Sequence, residues 1–140
     1  MRKMNVLEEQ HDEIVMLVRK IAASLSSTNI STQADLIAAQ LEELTSKLAV
    51  HLALEDLLVC RPMIQSQNVS LKSTAAKFRG DITCLQDICL NFAENWQAGD
   101  IRSRPQEFVQ AFKAVASMLV GRFELELRQV YPLAAGRVVG

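Results

Sequence analysis

The chain contains two histidines, and each lies on an apolar helical stripe with carboxylates nearby. His51 and Glu55 are four residues apart, so on a helix they project from one face, close enough to bind one ion. His11 interrupts a separate stripe of apolar residues with the same 3-4 spacing. Imidazole and carboxylate groups are the ligands of non-haem iron and manganese sites in helical bundles. The pattern therefore predicts a metal site or a buried polar cluster.

Three more polar residues interrupt apolar stripes in the second half of the chain. Asp81 lies on a stripe over residues 71–92, and Arg122 and Glu126 lie on one that begins at residue 108. Burying charged groups is costly unless they pair with each other or bind a metal, so we expect them to cluster. The residues of this predicted cluster are His11, His51, Glu55, Asp81, Arg122 and Glu126.

Four amphipathic helices must position these residues. The 3-4 pattern lapses at residues 26–31, 62–70 and 97–105, where Gly, Pro, Ser and Asn gather. Pro62 and Pro132 are expected to end the second and fourth helices, because proline cannot continue the hydrogen-bond ladder. The predicted fold class is all-α, an antiparallel up-down-up-down four-helix bundle in which the polar ends of the helices meet.

The composition limits the classes of function. The 140 residues fit one domain (1–140), and 15 basic residues balance 16 acidic ones, without a basic stripe that would bind nucleic acid. No apolar run is long enough to span a membrane, and the charged first ten residues do not resemble a signal peptide, so a cytoplasmic location is expected. Three cysteines without CxxC spacing argue against a disulfide framework and a thiolate zinc site.

Three parts of the chain carry a family resemblance. These are His11 on the first helix, residues 47–56 (KLAVHLALED) and residues 122–133 (RFELELRQVYPL), which ends in Tyr-Pro-Leu. Together they resemble the hemerythrin-like family, also called the HHE cation-binding domain. The similarity extends over nearly the whole chain. It implies a four-helix bundle with a di-iron centre that binds or senses oxygen, held by about five histidines and two bridging carboxylates.

The implied ligands are matched in part. Phe78 and Asp81 stand where the resemblance implies histidines on the third helix, and Arg122 replaces a histidine on the fourth. The positions that match implied ligands are His11, His51, Glu55 and Glu126.

Two hypotheses for function follow. In the first, one or two iron, manganese or zinc ions bind to a modified site and sense dioxygen, another diatomic molecule or redox state. Its ligands are His11, His51, Glu55, Asp81 and Glu126. In the second, the metal is lost and Arg122 replaces it by pairing with Glu55 and Glu126, while the histidines bond to Asp81. The protein is then a regulatory module that binds a protein partner or a second copy of itself.

Catalysis without a metal is the third alternative, with Glu55 or His51 as acid or base. No nucleophile arrangement accompanies these residues, so the protein is not expected to be an enzyme. Tyr131 has two interpretations: its hydroxyl lies over the cluster, or, as is commoner, it caps the end of the bundle as an amphipathic residue.

Overall fold

The computed structural model describes the backbone of residues 2–26 and 29–139 and the side chains of residues 5–26 and 29–136. These residues are helical throughout, apart from short connections, and contain no β-strand. The prediction of an all-α protein is confirmed. Of the predicted break at residues 26–31, residues 27 and 28 lie outside the described residues.

The helices follow the predicted stripes but extend further than expected. Helix α1 (Arg2–Leu25) is followed by a 3₁₀ turn (Ile30–Gln33) that leads into α2 (Ala34–Glu55). Helix α2 passes through a π-helical segment (Asp56–Cys60) into α3 (Arg61–Ile64) without leaving helical geometry. The remaining elements are α4 (Val69–Asn95), α5 (Ala98–Ser103), α6 (Pro105–Leu125), a second π-helical segment (Glu126–Val130) and α7 (Tyr131–Val139).

Each π-helical segment ends two residues before a proline. The prediction that Pro62 and Pro132 end their helices is wrong, since helical structure continues through each. In both cases the residue before the proline donates its backbone N–H to the carbonyl five residues earlier, as Tyr131 does to Glu126. A proline ring in an α-helix clashes with the carbonyl four residues back, and the wider π turn relieves this clash. The helix therefore continues through each proline, and each wide π turn accommodates one extra residue.

The helices enclose a core with two different parts. Helix α1 packs against α2 and α6, and α2 also packs against α4. Around the start of α6, Phe92, Trp96, Phe108 and Phe112 form an aromatic cluster. Near the far end of α6, the core is polar instead. Among the described residues, no helix combines the length and apolar character needed to cross a membrane.

Candidate metal centre

Four ionisable side chains are buried together in the polar part of the core. None of them is more than 2% exposed. Each offers one potential ligand atom, and these atoms all lie within 4.8 Å of one another. The four residues are His11, His51, Glu55 and Glu126. The structure therefore brings together four of the six residues predicted to cluster.

Two helices and a π-helical segment position the four side chains. Helix α2 presents His51 and Glu55 one turn apart, with Nε2 of His51 3.3 Å from Oε2 of Glu55. From α1, Nε2 of His11 lies 2.9 Å from Oε1 of Glu126 and 3.8 Å from Oε2 of Glu55. Side chains distant in sequence thus converge from separate helices on one point.

Tyr131 also lies in this cluster, so of its two interpretations the less common one, a hydroxyl over the cluster, is correct. Its hydroxyl donates a hydrogen bond of 2.5 Å to Oε2 of Glu55 and lies 3.0 Å from Nε2 of His11. It is also 3.4 Å from Oε1 of Glu126, five residues earlier. In an α-helix, residues five apart point about 140° away from each other. The π turn between Glu126 and Tyr131 brings the two side chains to the same face. The α-helical periodicity of the sequence could not predict this.

A phenylalanine packs against both histidines. The ring of Phe123 stacks on that of His11 with centroids 4.0 Å apart and an angle of 9° between the planes. It meets the ring of His51 edge-on at 5.4 Å. The 3-4 spacing that placed Arg122 between Leu119 and Glu126 fits Phe123 equally well. The sequence pattern therefore supported Phe123 as strongly as Arg122. Phe123 limits the rotation of the imidazoles.

Gln10 contacts the outer nitrogen of one histidine. Its Oε1 atom lies 2.8 Å from Nδ1 of His51. Since an amide oxygen accepts and does not donate, Nδ1 of His51 carries a proton. In the neutral ring, Nε2 then presents a lone pair to the cluster, as metal-binding histidines do. Gln10 was not predicted, because neither its type nor its spacing marks it in the sequence.

Several buried atoms of the cluster have no hydrogen-bond partner among the described residues. They are Nδ1 of His11, Nε2 of His51, Oε1 of Glu55 and Oε2 of Glu126. Most buried polar atoms in proteins are paired, and each exception needs a reason. Here two carboxylate oxygens and two imidazole nitrogens are unpaired, as expected where a cation supplies a missing interaction. The donor set therefore fits a metal ion.

Arg122 lies at the border of the cluster. Its Nη1 atom is 3.2 Å from Oδ2 of Asp81, and its guanidinium stacks over the ring of Phe78 at 4.7 Å. Its Nε atom lies 3.5 Å from Oε2 of Glu126, close enough for an ion pair although the two atoms form no hydrogen bond. Among the described residues, Arg122 forms no ion pair with Glu55. The predicted network of Arg122 with both glutamates is therefore present for Glu126 alone.

Asp81 does not lie in the cluster. Its side chain is 44% exposed, and its carboxylate binds Arg122. The prediction that Asp81 is buried is wrong, as is the hydrogen bonding with the histidines expected for it. Asp81 follows the apolar stripe in spacing, but its position on α4 lies at the edge of the bundle, where a carboxylate keeps its hydration.

The match with a known family agrees with this geometry. The family model of the hemerythrin HHE cation-binding domain matches residues 2–134. The chain belongs to this family. The resemblance inferred from the sequence is thereby confirmed. No curated protein and no solved structure matches the chain.

Burial and hydrogen bonding shift the protonation of this hemerythrin domain's cluster. Burial alone lowers the pKa of His11, but the bonds to Glu126 and Glu55 outweigh it and raise the pKa to about 9. Burial raises the pKa of Glu126 to about 8. Burial also favours the neutral form of Glu55, yet its contacts with His11 and His51 hold its pKa below the ordinary value. The metal-free cluster therefore keeps protons on His11 and Glu126, which a metal ion would displace.

Proposed function

We propose that this domain binds one iron or manganese ion. The proposed ligands are His11, His51, Glu55 and Glu126. The observation that carries the proposal is the convergence of four buried potential ligand atoms within 4.8 Å of one another. Two carboxylates and two imidazoles buried without a cation would leave unpaired polar atoms, whereas a shared ion satisfies them together.

The donor types support iron or manganese, which accept mixed imidazole and carboxylate ligands in helical bundles. Four protein donors leave positions open on an ion that takes five or six ligands. Open positions are what a sensor of dioxygen, of another diatomic molecule or of redox state requires, and we propose such sensing rather than turnover.

A second divalent ion is disfavoured by the surroundings of Arg122. Its permanent positive charge lies 3.5 Å from Oε2 of Glu126, on the side where a neighbouring ion would need this carboxylate. Asp81 is bound to the same guanidinium, so we leave it out of the ligand set. One ion per chain is the expected stoichiometry.

We also infer an up-down-up-down order of the long helices. The packing of α1 against α2 and α6 supports it. His11, in the first half of α1, contacts Glu55 at the end of α2 and Glu126 just after α6. Antiparallel neighbours bring the start of one helix beside the end of the next, as these contacts require.

The proposal is tested by metal analysis of protein purified without a chelating column, before and after anaerobic addition of Fe(II). We expect close to one metal ion per chain and a higher melting temperature with metal. At a free metal concentration 100 times the dissociation constant, the stabilisation is about 2.7 kcal/mol. Glu126→Gln should reduce metal content and abolish this shift. The matched control is Glu124→Gln, an exposed glutamate two residues away. Metal bound equally by both variants would contradict the proposed ligand set.

A second candidate function is a metal-free regulatory or protein-binding module. The ion pair of Arg122 with Glu126 favours it, because a guanidinium can partly substitute for a metal cation. In that case the folded protein stays metal-free after Fe(II) addition, and its melting temperature does not change. The search then turns to a protein partner or a homodimer, for which size-exclusion chromatography with light scattering is the first measurement.

A further inference from the structure

The hydroxyl oxygen of Tyr131 has the spacing of an additional ligand. It lies 2.5 Å from Oε2 of Glu55, 3.0 Å from Nε2 of His11 and 3.4 Å from Oε1 of Glu126. Atoms that bind one ion at about 2.0–2.2 Å lie roughly 3 Å apart along the edges of the coordination sphere. Nε2 of His11 and Oε1 of Glu126 are themselves 2.9 Å apart. The phenol oxygen therefore lies at ligand-to-ligand distance from the other candidate ligand atoms, in the position of a further ligand.

In the metal-free cluster, hydrogen bonds hold the hydroxyl oxygen among these atoms. The phenol has one proton, which it donates to Glu55. Nε2 of His11 has at most one proton, and Oε1 of Glu126, 2.9 Å away, is its nearest acceptor. The hydroxyl oxygen lies 3.0 Å from the same nitrogen, so it accepts a share of that N–H when Nε2 is protonated. The lone pairs of the hydroxyl oxygen therefore point into the cluster, where a cation could bind them once the protons leave.

On the basis of the proposed metal site, we propose that Tyr131 is a fifth protein ligand of the same ion. It binds through its phenolate oxygen, and the phenolic proton is released to solvent. Its position follows from the π turn before Pro132, which directs Tyr131 to the same face as Glu126. Phenolate is a hard oxygen donor that suits ferric iron. With five protein donors, a six-coordinate ion keeps one open position.

The composition of the chain allows a direct test, since Tyr131 is its single tyrosine. Protein loaded anaerobically with Fe(II) is oxidised with ferricyanide, which takes one electron from each iron and becomes ferrocyanide. We expect a visible phenolate-to-iron charge-transfer band and phenolate ring vibrations in the resonance Raman spectrum. In Tyr131→Phe, which keeps the aromatic ring, both signals should be lost while the iron content stays above that of Glu126→Gln.

The outcomes separate this inference from the proposed function. Wild type and Tyr131→Phe that bind iron with identical spectra would overturn the ligand role and leave the metal site intact. Wild type that takes up no metal would overturn the metal site itself and the ligand role with it. If Tyr131→Phe does not fold, wild type with ring-deuterated tyrosine replaces it. A shift of the Raman bands supports the proposal, and bands that do not shift overturn it.

Discussion

Nδ1 of His51 lies 2.8 Å from Oε1 of Gln10, so a side chain of α1 orients a histidine of α2. The contact determines which ring nitrogen carries the proton and leaves Nε2 free to accept or to bind a cation. Gln10 is half-buried, and nothing in its chemistry suggests that it binds an ion itself. It acts on the candidate site through His51.

Replacement of Gln10 by alanine should therefore weaken metal binding without unfolding the protein. Loss of a partner behind a ligating histidine costs roughly 10–100-fold in metal affinity. Competition with a chromophoric chelator measures the change. Glu9→Ala alters the neighbouring exposed residue and should leave the affinity unchanged. Equal affinities for Gln10→Ala and Glu9→Ala would show that the contact does not orient His51.

Substitution of Phe123 by leucine should affect stability and the site together. The change removes part of a buried ring and costs on the order of 1 kcal/mol, and leucine cannot stack on His11. Phe112→Leu is the matched control, because Phe112 is equally buried and packs in the aromatic cluster away from the site. Both variants should lower the free energy of unfolding by similar amounts in urea titrations. Metal affinity should fall for Phe123→Leu alone, and an equal fall in both would point to a general loss of packing.

The role of Arg122 is expected to depend on metal. Arg122→Met removes a cation from Glu126 and Asp81, so the metal-free protein should lose roughly 2 kcal/mol of unfolding free energy. With metal bound, the ion satisfies Glu126 and the loss should be smaller. Urea titrations with and without a chelator measure the difference. Arg128→Met changes an exposed arginine nearby and should have little effect in either condition. A loss that is the same with and without metal would contradict a shared electrostatic role.

The stability of the metal-free protein should fall as the pH rises from 6.5 to 9. The pKa of His11 is raised from 6.5 to about 9, so its stabilisation is complete below pH 6.5 and disappears through pH 9. The pKa of Glu126, raised from 4.5 to about 8 mainly by burial, acts in the same direction. The lowered pKa of Glu55 contributes stability above pH 4.5 that is lost in acid.

Melting temperatures of chelator-treated protein across this range measure the effect. Saturating metal should reduce or reverse the slope, because metal binding displaces the protons on His11 and Glu126 and grows stronger as they leave. A melting temperature of the metal-free protein that stays level or rises toward pH 9 would contradict the pKa shifts on which the prediction rests.

The sequence was sufficient to predict the helical class and four of the residues that meet in the polar part of the core. An α-helix directs side chains at 3-4 spacing to one face, so the stripes predicted six inward-facing polar residues. Four of them are buried: His11, His51, Glu55 and Glu126. The same periodicity misplaced Asp81, because a stripe does not show where the edge of the bundle lies. It also favoured Arg122 over Phe123, although both have helical spacing to their neighbours.

Other features were decided by the tertiary structure. Tyr131 enters the cluster because the π turn before Pro132 brings its side chain to the same face as Glu126. An α-helical pattern in the sequence does not contain this turn. The contacts of Gln10 with His51 and of Phe123 with His11 join residues on different helices. By itself, the sequence determined which faces of the helices are apolar, because that depends on local geometry. How the helix faces pack against each other depends on contacts between segments far apart in the chain. Those contacts decide which side-chain atoms lie together in the cluster.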